Sequence, residues 1–316
     1  MKTKPIIIVA GEPKSVFFEI FFKCLKSYNF KTPLILIASN EIVKLQMKKL
    51  NFKKTINLID KSDLETKKLN NKVLNLIDVN YETVPSQSLN YISKCFEISF
   101  DILRKGLSNK LVNGPIKKSS FLNKKFLGIT EYISKKFNIK KNAMLIYDND
   151  LSVCPLTTHL PLKMVVKKIN QKAIKEKVHL IDNFYKKNRG FKPKIAVTGL
   201  NPHCESILQF NEDEKILSPA INFLKKKNYR VFGPFPADTI FLKQNRRKYD
   251  VILGMYHDQV LSPIKTLKEY NAINITLGLP FLRVSPDHGP NEKMINKNSS
   301  NPLSLMNSLK FLDRSD

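Results

Sequence analysis

Short apolar runs rich in β-branched residues alternate with amphipathic stretches along the whole chain, beginning with the run at residues 5–10 and the apolar-rich stretch at 16–26. Parallel strands need a crossover of a dozen or more residues, usually a helix, so this alternation is the signature of βαβ units around a largely parallel sheet. Further strands are expected at 33–39, 72–79 and 110–112. Between the last two, residues 86–107 carry Leu89, Ile92, Phe96, Phe100 and Leu103 at helical spacing, which predicts a crossover helix. A second set of strands is expected at 144–147, 151–156, 194–200, 251–255 and 273–276, with helices at 173–187 and 212–227. The sequence therefore predicts an α/β fold of two lobes. Residues 1–128 with 286–316 form the first, built from both chain ends with a final helix at 303–312 returning to it, and residues 129–285 form the second.

Composition supports a folded, cytoplasmic protein. Apolar residues make up 42% of 316, enough for an ordinary core at this length. The longest apolar runs, 6–10 and 33–38, fall far short of the roughly 20 residues of a membrane helix. Met1-Lys2-Thr3-Lys4 leads into only six apolar residues before Gly11-Glu12-Pro13, unlike a secretory leader. The four cysteines, at 24, 95, 154 and 204, form no CxxC pair and suggest no disulfide framework. The formal charge of +27, from 54 basic and 27 acidic residues, raises nucleic acid as a partner, but its distribution argues otherwise. Lysine supplies nearly all of it in scattered short clusters. Arginine, the residue favoured for bidentate phosphate and base recognition, stands only at 104, 189, 230, 246, 247, 283 and 314. An attraction for small anionic substrates remains.

Three of the five histidines follow strand candidates directly: His159 after 151–156, His203 after 194–200 and His257 after 251–255. Ligands of open α/β sheets bind at the carboxyl ends of strands, so three imidazoles delivered there are placed to converge on one point. Such a set suits Zn²⁺ or another borderline divalent ion and leaves a position open for a substrate oxygen. Any one histidine taken singly is as readily a capping or packing residue; the repetition of context carries the reading. Cys204 and Asp258 each adjoin a histidine, but neighbours in an extended segment point to opposite sides, which disfavours them as further ligands. Asp258 is read instead as an orienting or proton-handling carboxylate, with helix N-capping as the alternative. Downstream, Lys265, Asn274 and Arg283 offer two cations and an amide, a suitable set for a small carboxylate or phosphate. Gly114-Pro115-Ile116-Lys117-Lys118 is a candidate phosphate turn, or simply a structural one. No GxGxxG fingerprint and no Walker sequence occurs.

Several stretches together resemble a known family: Thr157-Thr158-His159-Leu160-Pro161-Leu162, Asn201-Pro202-His203, Gly233-Pro234-Phe235-Pro236-Ala237-Asp238-Thr239, Tyr256-His257-Asp258-Gln259, and Asn274-Ile275-Thr276-Leu277-Gly278-Leu279-Pro280-Phe281 running on to Arg283 and Asp287-His288-Gly289. The chain is similar over most of its length to the 4-hydroxythreonine-4-phosphate dehydrogenases of vitamin B6 biosynthesis. The resemblance implies a homodimer of two-lobed subunits, similar to isocitrate and isopropylmalate dehydrogenases, with an active site in the cleft between lobes. It implies a divalent metal (Zn, Mg or Co) held by three histidines shared across the dimer, matching His159, His203 and His257. Substrate contacts match Thr130, Lys265, Asn274 and Arg283, with Asp258 and Lys265 as the catalytic candidates. The implied reaction is NAD-dependent oxidation of 4-phosphohydroxy-L-threonine, followed by decarboxylation to 3-amino-2-oxopropyl phosphate.

The chain departs from the family at definite places. The usual Gly-His-Thr-Glu reads Gly128-Ile129-Thr130-Glu131, so a substrate-contacting imidazole is replaced by a hydrocarbon. Gly-Glu-Pro-Ala-Gly-Ile-Gly-Pro-Glu becomes Gly11-Glu12-Pro13-Lys14-Ser15-Val16-Phe17-Phe18-Glu19, losing small residues that let backbone approach a ligand. Ala-Gly-Glu after His203 is compressed to Cys204-Glu205, and glycines beyond Gly289 appear as Asn296 and Asn298. Ile129 motivates an alternative substrate, threonate or erythronate 4-phosphate, in which no amino group needs recognition. A non-catalytic metal-binding paralogue is the alternative from another class.

Overall fold

The computed structural model describes residues 4–81, 85–117, 126, 128–205, 210–286, 291–295 and 297–315, the side chains of 85–89 excepted. The strands among them are β1 (Ile6–Val9), β2 (Leu34–Ala38), β3 (Ile56–Leu58), β4 (Leu74–Asp78), β5 (Lys110–Asn113), β6 (Ala143–Tyr147), β7 (Ser152–Thr157), β8 (Ile195–Thr198), β9 (Val231–Phe235), β10 (Val251–Tyr256), β11 (Ile273–Leu277) and β12 (Leu282–Ser285). The chain packs as two units, Met1–Ile133 with Pro280–Asp316, and Ser134–Leu279.

In the first unit the strands lie in the order β3-β4-β2-β1-β5-β12, and every pairing is parallel. Ile6, Ile7, Ile8 and Val9 of β1 are all fully buried. That is why β1 reads as a continuous apolar run instead of an alternating one: a parallel sheet is covered on both faces. The helix Phe17–Ser27 lays Phe17, Phe18, Phe21 and Phe22 into the core, with Phe17 stacked on Phe21 at 5.5 Å and Phe22 on Phe52 at 4.3 Å. Each such ring contributes about 1.5–3 kcal/mol on burial. Phe17, which stands where the resembled family has a glycine, is thus part of an aromatic core.

The carboxyl end returns as expected. The helix Leu303–Asp313 buries Leu305, Leu309 and Leu312. The Asp313 carboxylate accepts from the backbone of Lys31 (3.1 Å) and Thr32 (2.7 Å), and buried Glu19 accepts from Ser300 N–H at 2.6 Å. The unit boundaries differ from those expected. Residues 129–133 and 280–285 belong to the first unit, because β12 pairs in parallel with β5, Arg283 opposite Leu111, and Tyr132 packs edge-on against Phe96 at 5.9 Å.

In the second unit the order is β11-β6-β7-β10-β8-β9. β7, β10, β8 and β9 run parallel, whereas β6 is antiparallel to both its neighbours. The link between β6 and β7 is too short for a crossover and closes as a hairpin, with Asp150 N–H donating to the Asp148 carboxylate at 3.1 Å. The helix Gln171–Arg189 starts on Asn170, whose side chain accepts from Ala173 N–H, and stops at Gly190 in the left-handed conformation (φ 77°). Strand β9 escaped the sequence reading because Gly233 and Pro234 interrupt its apolar pattern; Pro is tolerated there since β9 lies at the edge. Among the described residues, no helix is long and apolar enough to cross a membrane.

Candidate active site

β7 and β10 are adjacent and parallel, with Tyr256 opposite Thr157, so their carboxyl ends stand level. His159 lies two residues beyond the first and His257 immediately beyond the second. Their ring centroids are 5.9 Å apart. The Thr157 hydroxyl donates to Met255 O at 2.8 Å and ties the two strand ends together. β8 flanks β10 on the other side and leads into the tight turn Pro202–Cys204, where His203 (φ 56°) and Cys204 (φ 62°) are both left-handed. Each such residue costs about 1–2 kcal/mol, so the turn must be held by its surroundings. Asp213, 1% exposed, does this: its carboxylate accepts from Leu200 N–H (2.7 Å), Asn201 N–H (3.0 Å) and the Asn201 side chain (3.0 Å).

Within one chain the structure brings together two of the three imidazoles expected at a shared site, those of His159 and His257. Among the described residues no three His, Cys, Asp or Glu side chains gather as a metal-holding group. The topology supplies the reason. β7 and β8 are separated by β10, hence by about 10 Å of sheet, and His203 follows the farther strand. Cys204 keeps its proton at neutral pH: burial, reinforced by Asp213, pushes its thiol up to about 11.

His257 opens the helix His257–Lys268, and its Nδ1 stands 2.7 Å from Asp258 Oδ1. Asp258 is not the N-cap. Tyr256 occupies that position without a side-chain capping bond, and Asp258 sits in the first turn, where a negative charge favours the helix dipole. With Nδ1 engaged by a carboxylate, Nε2 is the ring nitrogen left to meet a ligand. Lys265 lies eight residues on, about 12 Å along the helix axis, and is exposed. Asn274 on β11 lies opposite Ile146, and its Oδ1 is buried with no hydrogen-bond partner. Leaving such an acceptor unmet costs about 1–3 kcal/mol, which makes it a place for an incoming donor.

The other two expected substrate contacts belong to the first unit. Arg283 on β12 is fully buried. Its Nε and Nη2 donate to Asn113 Oδ1 at 3.0 and 2.7 Å, and Nη1 donates to Thr130 Oγ1 at 3.3 Å. Burial pushes the guanidinium down to about 10, opposed by the charge of Glu131. One Glu131 oxygen, Oε2, is itself buried without a hydrogen-bond partner. Asn113 was not singled out in the sequence; its position at the end of a strand candidate was its only signal. Ile129 is the first residue of the helix Ile129–Lys136 and is half-buried.

The glycine turns after β1 and β5 close on each other. A Cβ on Gly114 would come within 2.1 Å of Ala10 O, and one on Gly11 within 2.4 Å of Pro115 O. The Gly114 turn is therefore structural, with its glycine demanded by packing of backbone on backbone. Asn298 holds a left-handed conformation (φ 50°), which Asn tolerates best after glycine. Lys118, Asp287-His288-Gly289-Pro290 and Asn296 lie outside the described residues.

An α/β chain of two units, with paired imidazoles at the carboxyl ends of adjacent parallel strands and an oriented carboxylate beside them, defines the class of α/β enzymes whose ligands meet side chains at strand ends. Comparison with known proteins is more specific. The family model described as "Pyridoxal phosphate biosynthetic protein PdxA" matches residues 29–312. The chain is 33% identical over 323 aligned residues to a 4-hydroxythreonine-4-phosphate dehydrogenase of a Sulfurihydrogenibium species, covering 97% of this chain and 96% of that protein. It is 30% identical to the D-threonate 4-phosphate dehydrogenase of Salmonella typhimurium, covering 92% of each. It superposes on the crystal structure of the 4-hydroxythreonine-4-phosphate dehydrogenase of Klebsiella pneumoniae with a TM-score of 0.83 at 27% identity, covering 98% of both. The chain belongs to the PdxA family of pyridoxal phosphate biosynthetic proteins, a family of dehydrogenases.

Proposed function

We propose that the protein is a cytoplasmic homodimeric dehydrogenase that uses NAD and a divalent metal to oxidise the secondary hydroxyl of 4-phosphohydroxy-L-threonine. The product, 2-amino-3-oxo-4-phosphohydroxybutanoate, then loses CO₂ to give 3-amino-2-oxopropyl phosphate, a step towards pyridoxal 5'-phosphate. The observation that carries this reading is the pair His159 and His257, with Asp258 on the Nδ1 of His257, in a chain of this family.

The donor chemistry fits a divalent cation. His159 and His257 would hold it, with His203 as the third ligand of a site shared between two copies of the chain. When bound, Zn²⁺, Mg²⁺ or Co²⁺ supplies Lewis acidity that lowers the pKa of a hydroxyl and polarises a ketone. Asp258 accepts the Nδ1 proton of His257 and fixes the ring's tautomer. Asn274 Oδ1 accepts from a donor of the substrate and Lys265 attracts its anionic groups; Thr130 and Arg283 enter as substrate contacts from the family resemblance. The glycines of the turns after β1 and β5 are required by the packing of each turn's backbone on the other, and NAD enters this reading from the family.

A second reading keeps the chemistry and changes the substrate to D-threonate 4-phosphate or its erythronate counterpart. Ile129 in place of the family's histidine favours it. Initial rates of NADH formation with the three phospho-acids at equal concentration separate the two. A higher kcat/KM for 4-phosphohydroxy-L-threonine supports the first reading, and the reverse order establishes the second.

A further inference from the structure

The geometry points to Gln259 as a positioning residue that fixes the spacing between the turns bearing His257 and His203. Its side chain reaches across from the first turn of the helix His257–Lys268 to the strand that carries His203. Oε1 accepts from Met255 N–H at 2.7 Å and from the Thr198 hydroxyl at 2.7 Å, while Nε2 donates to Gly199 O at 2.7 Å, a partner sixty residues away in sequence. The amide has one orientation only. A backbone N–H can only donate and a backbone C=O can only accept, so the oxygen must face Met255 and the nitrogen must face Gly199.

The surroundings are shaped for this contact. Gly254 gives the room: a Cβ there would come 2.4 Å from Val260 Cγ1 and 3.2 Å from Gln259 Oε1. Thr198 is fully buried. Gly199 stands at the head of the turn whose next two residues are held by Asp213 and whose further residues are His203 and Cys204. On the other side, Met255 O accepts from Thr157, two residues before His159. One amide thus links the ends of β10 and β8, and the Thr157 hydroxyl joins the end of β7 to them through Met255. The strained conformations of His203 and Cys204 make the need for such a brace concrete, since nothing in their own φ values would hold the turn.

Glutamate is the discriminating substitution. Gln259→Glu keeps the shape and the acceptor for Met255 N–H, but as the carboxylate, the form tested by following exchange at a pH well above the ordinary glutamate range, sets a second acceptor against the Gly199 carbonyl. It therefore releases the His203 turn while retaining the β10 end. Two readouts on the full-length protein test this, beside Tyr185→Phe, which removes another buried hydrogen bond of the same unit, the 2.9 Å contact to Ser152, away from the histidine turns. The first readout is hydrogen exchange of the backbone amides of residues 200–205, which needs no metal. The second is Co²⁺ affinity by chelator competition, with the visible absorption of the bound ion as a signature of its geometry; this arm rests on the metal reading above.

The expected result for Gln259→Glu is at least tenfold faster exchange at 200–205, at least tenfold weaker Co²⁺ binding and an altered absorption band, with Tyr185→Phe unchanged in all three. Unchanged exchange and affinity in Gln259→Glu, or equal losses in Tyr185→Phe, overturn the proposal. If the parent protein binds no Co²⁺, the metal reading fails by itself, and the exchange rates alone decide for or against Gln259.

Discussion

Asn113 Oδ1 accepts two hydrogen bonds from one guanidinium, that of Arg283, between the paired strands β5 and β12 where no water reaches the arginine. Removing the acceptor takes two hydrogen bonds from a buried cation, whereas removing the cation leaves only a neutral amide to be satisfied. Hydrogen bonds to charged groups are worth about 1.5–3 kcal/mol, and an uncompensated buried charge costs more than its apolar replacement. Asn113→Leu is therefore expected to lose more stability than Arg283→Met in urea unfolding, by about 1.5 kcal/mol or more. Equal losses, or the opposite order, would show that the guanidinium is satisfied by other partners.

Asp213 makes a comparable prediction in the second unit. Three donors converge on its carboxylate, two of them backbone N–H groups of the His203 turn. Asp213→Ala leaves the two backbone N–H groups unmet, while the Asn201 side chain keeps Glu212 Oε2 at 3.0 Å, and is expected to cost about 3 kcal/mol. Exchange at the amides of Leu200 and Asn201 should accelerate most. Loss of stability without that local acceleration would place the role of Asp213 elsewhere in the unit.

The buried thiols give the protein a defined alkaline limb. Burial raises Cys24 and Cys95 to about 12 and Cys154 to about 11, from 9.0. In the unfolded chain these thiols ionise near pH 9, while the native protein keeps their protons. The unfolded state thus binds fewer protons above pH 9, and stability falls as pH rises. The contribution is complete below pH 9 and lost progressively towards pH 11–12. The urea midpoint is expected to fall between pH 8.5 and 10.5, and to fall less in a variant with all three cysteines replaced by alanine. Identical slopes in the two proteins would assign the alkaline loss to other groups.

Much of the architecture was legible because the strongest signals are local. The unbroken run at β1 announces a strand covered on both faces, and the Asn170 cap and Gly190 stop frame a helix read from its spacing. Three histidines after three strands were likewise visible, because strand ends are marked by their own sequence. What could not be read is what depends on strand order. That β10 lies between β7 and β8 decides which two imidazoles meet within one chain, and no local pattern encodes it. For the same reason the roles of Gln259, Asp213 and Asn113 could not be read: their partners lie on other segments. Arg283 stood out as a scarce arginine, but its full burial follows from β12 inserting beside β5, a pairing between segments about 170 residues apart in sequence. That Asp258 is not the N-cap could be read only from the helix, which begins one residue earlier, at His257.

The measurement closest to the central claim is NADH formation at 340 nm from 4-phosphohydroxy-L-threonine. Protein stripped with a chelator and then given Zn²⁺, Mg²⁺ or Co²⁺ is compared with His257→Ala treated in the same way. The account predicts turnover that disappears on chelation, returns with metal and is at least a hundredfold lower in His257→Ala. Turnover that survives chelation and the loss of His257 would contradict the histidine site, and no turnover by folded, metal-loaded protein on this substrate or on threonate and erythronate 4-phosphates would contradict the dehydrogenase itself.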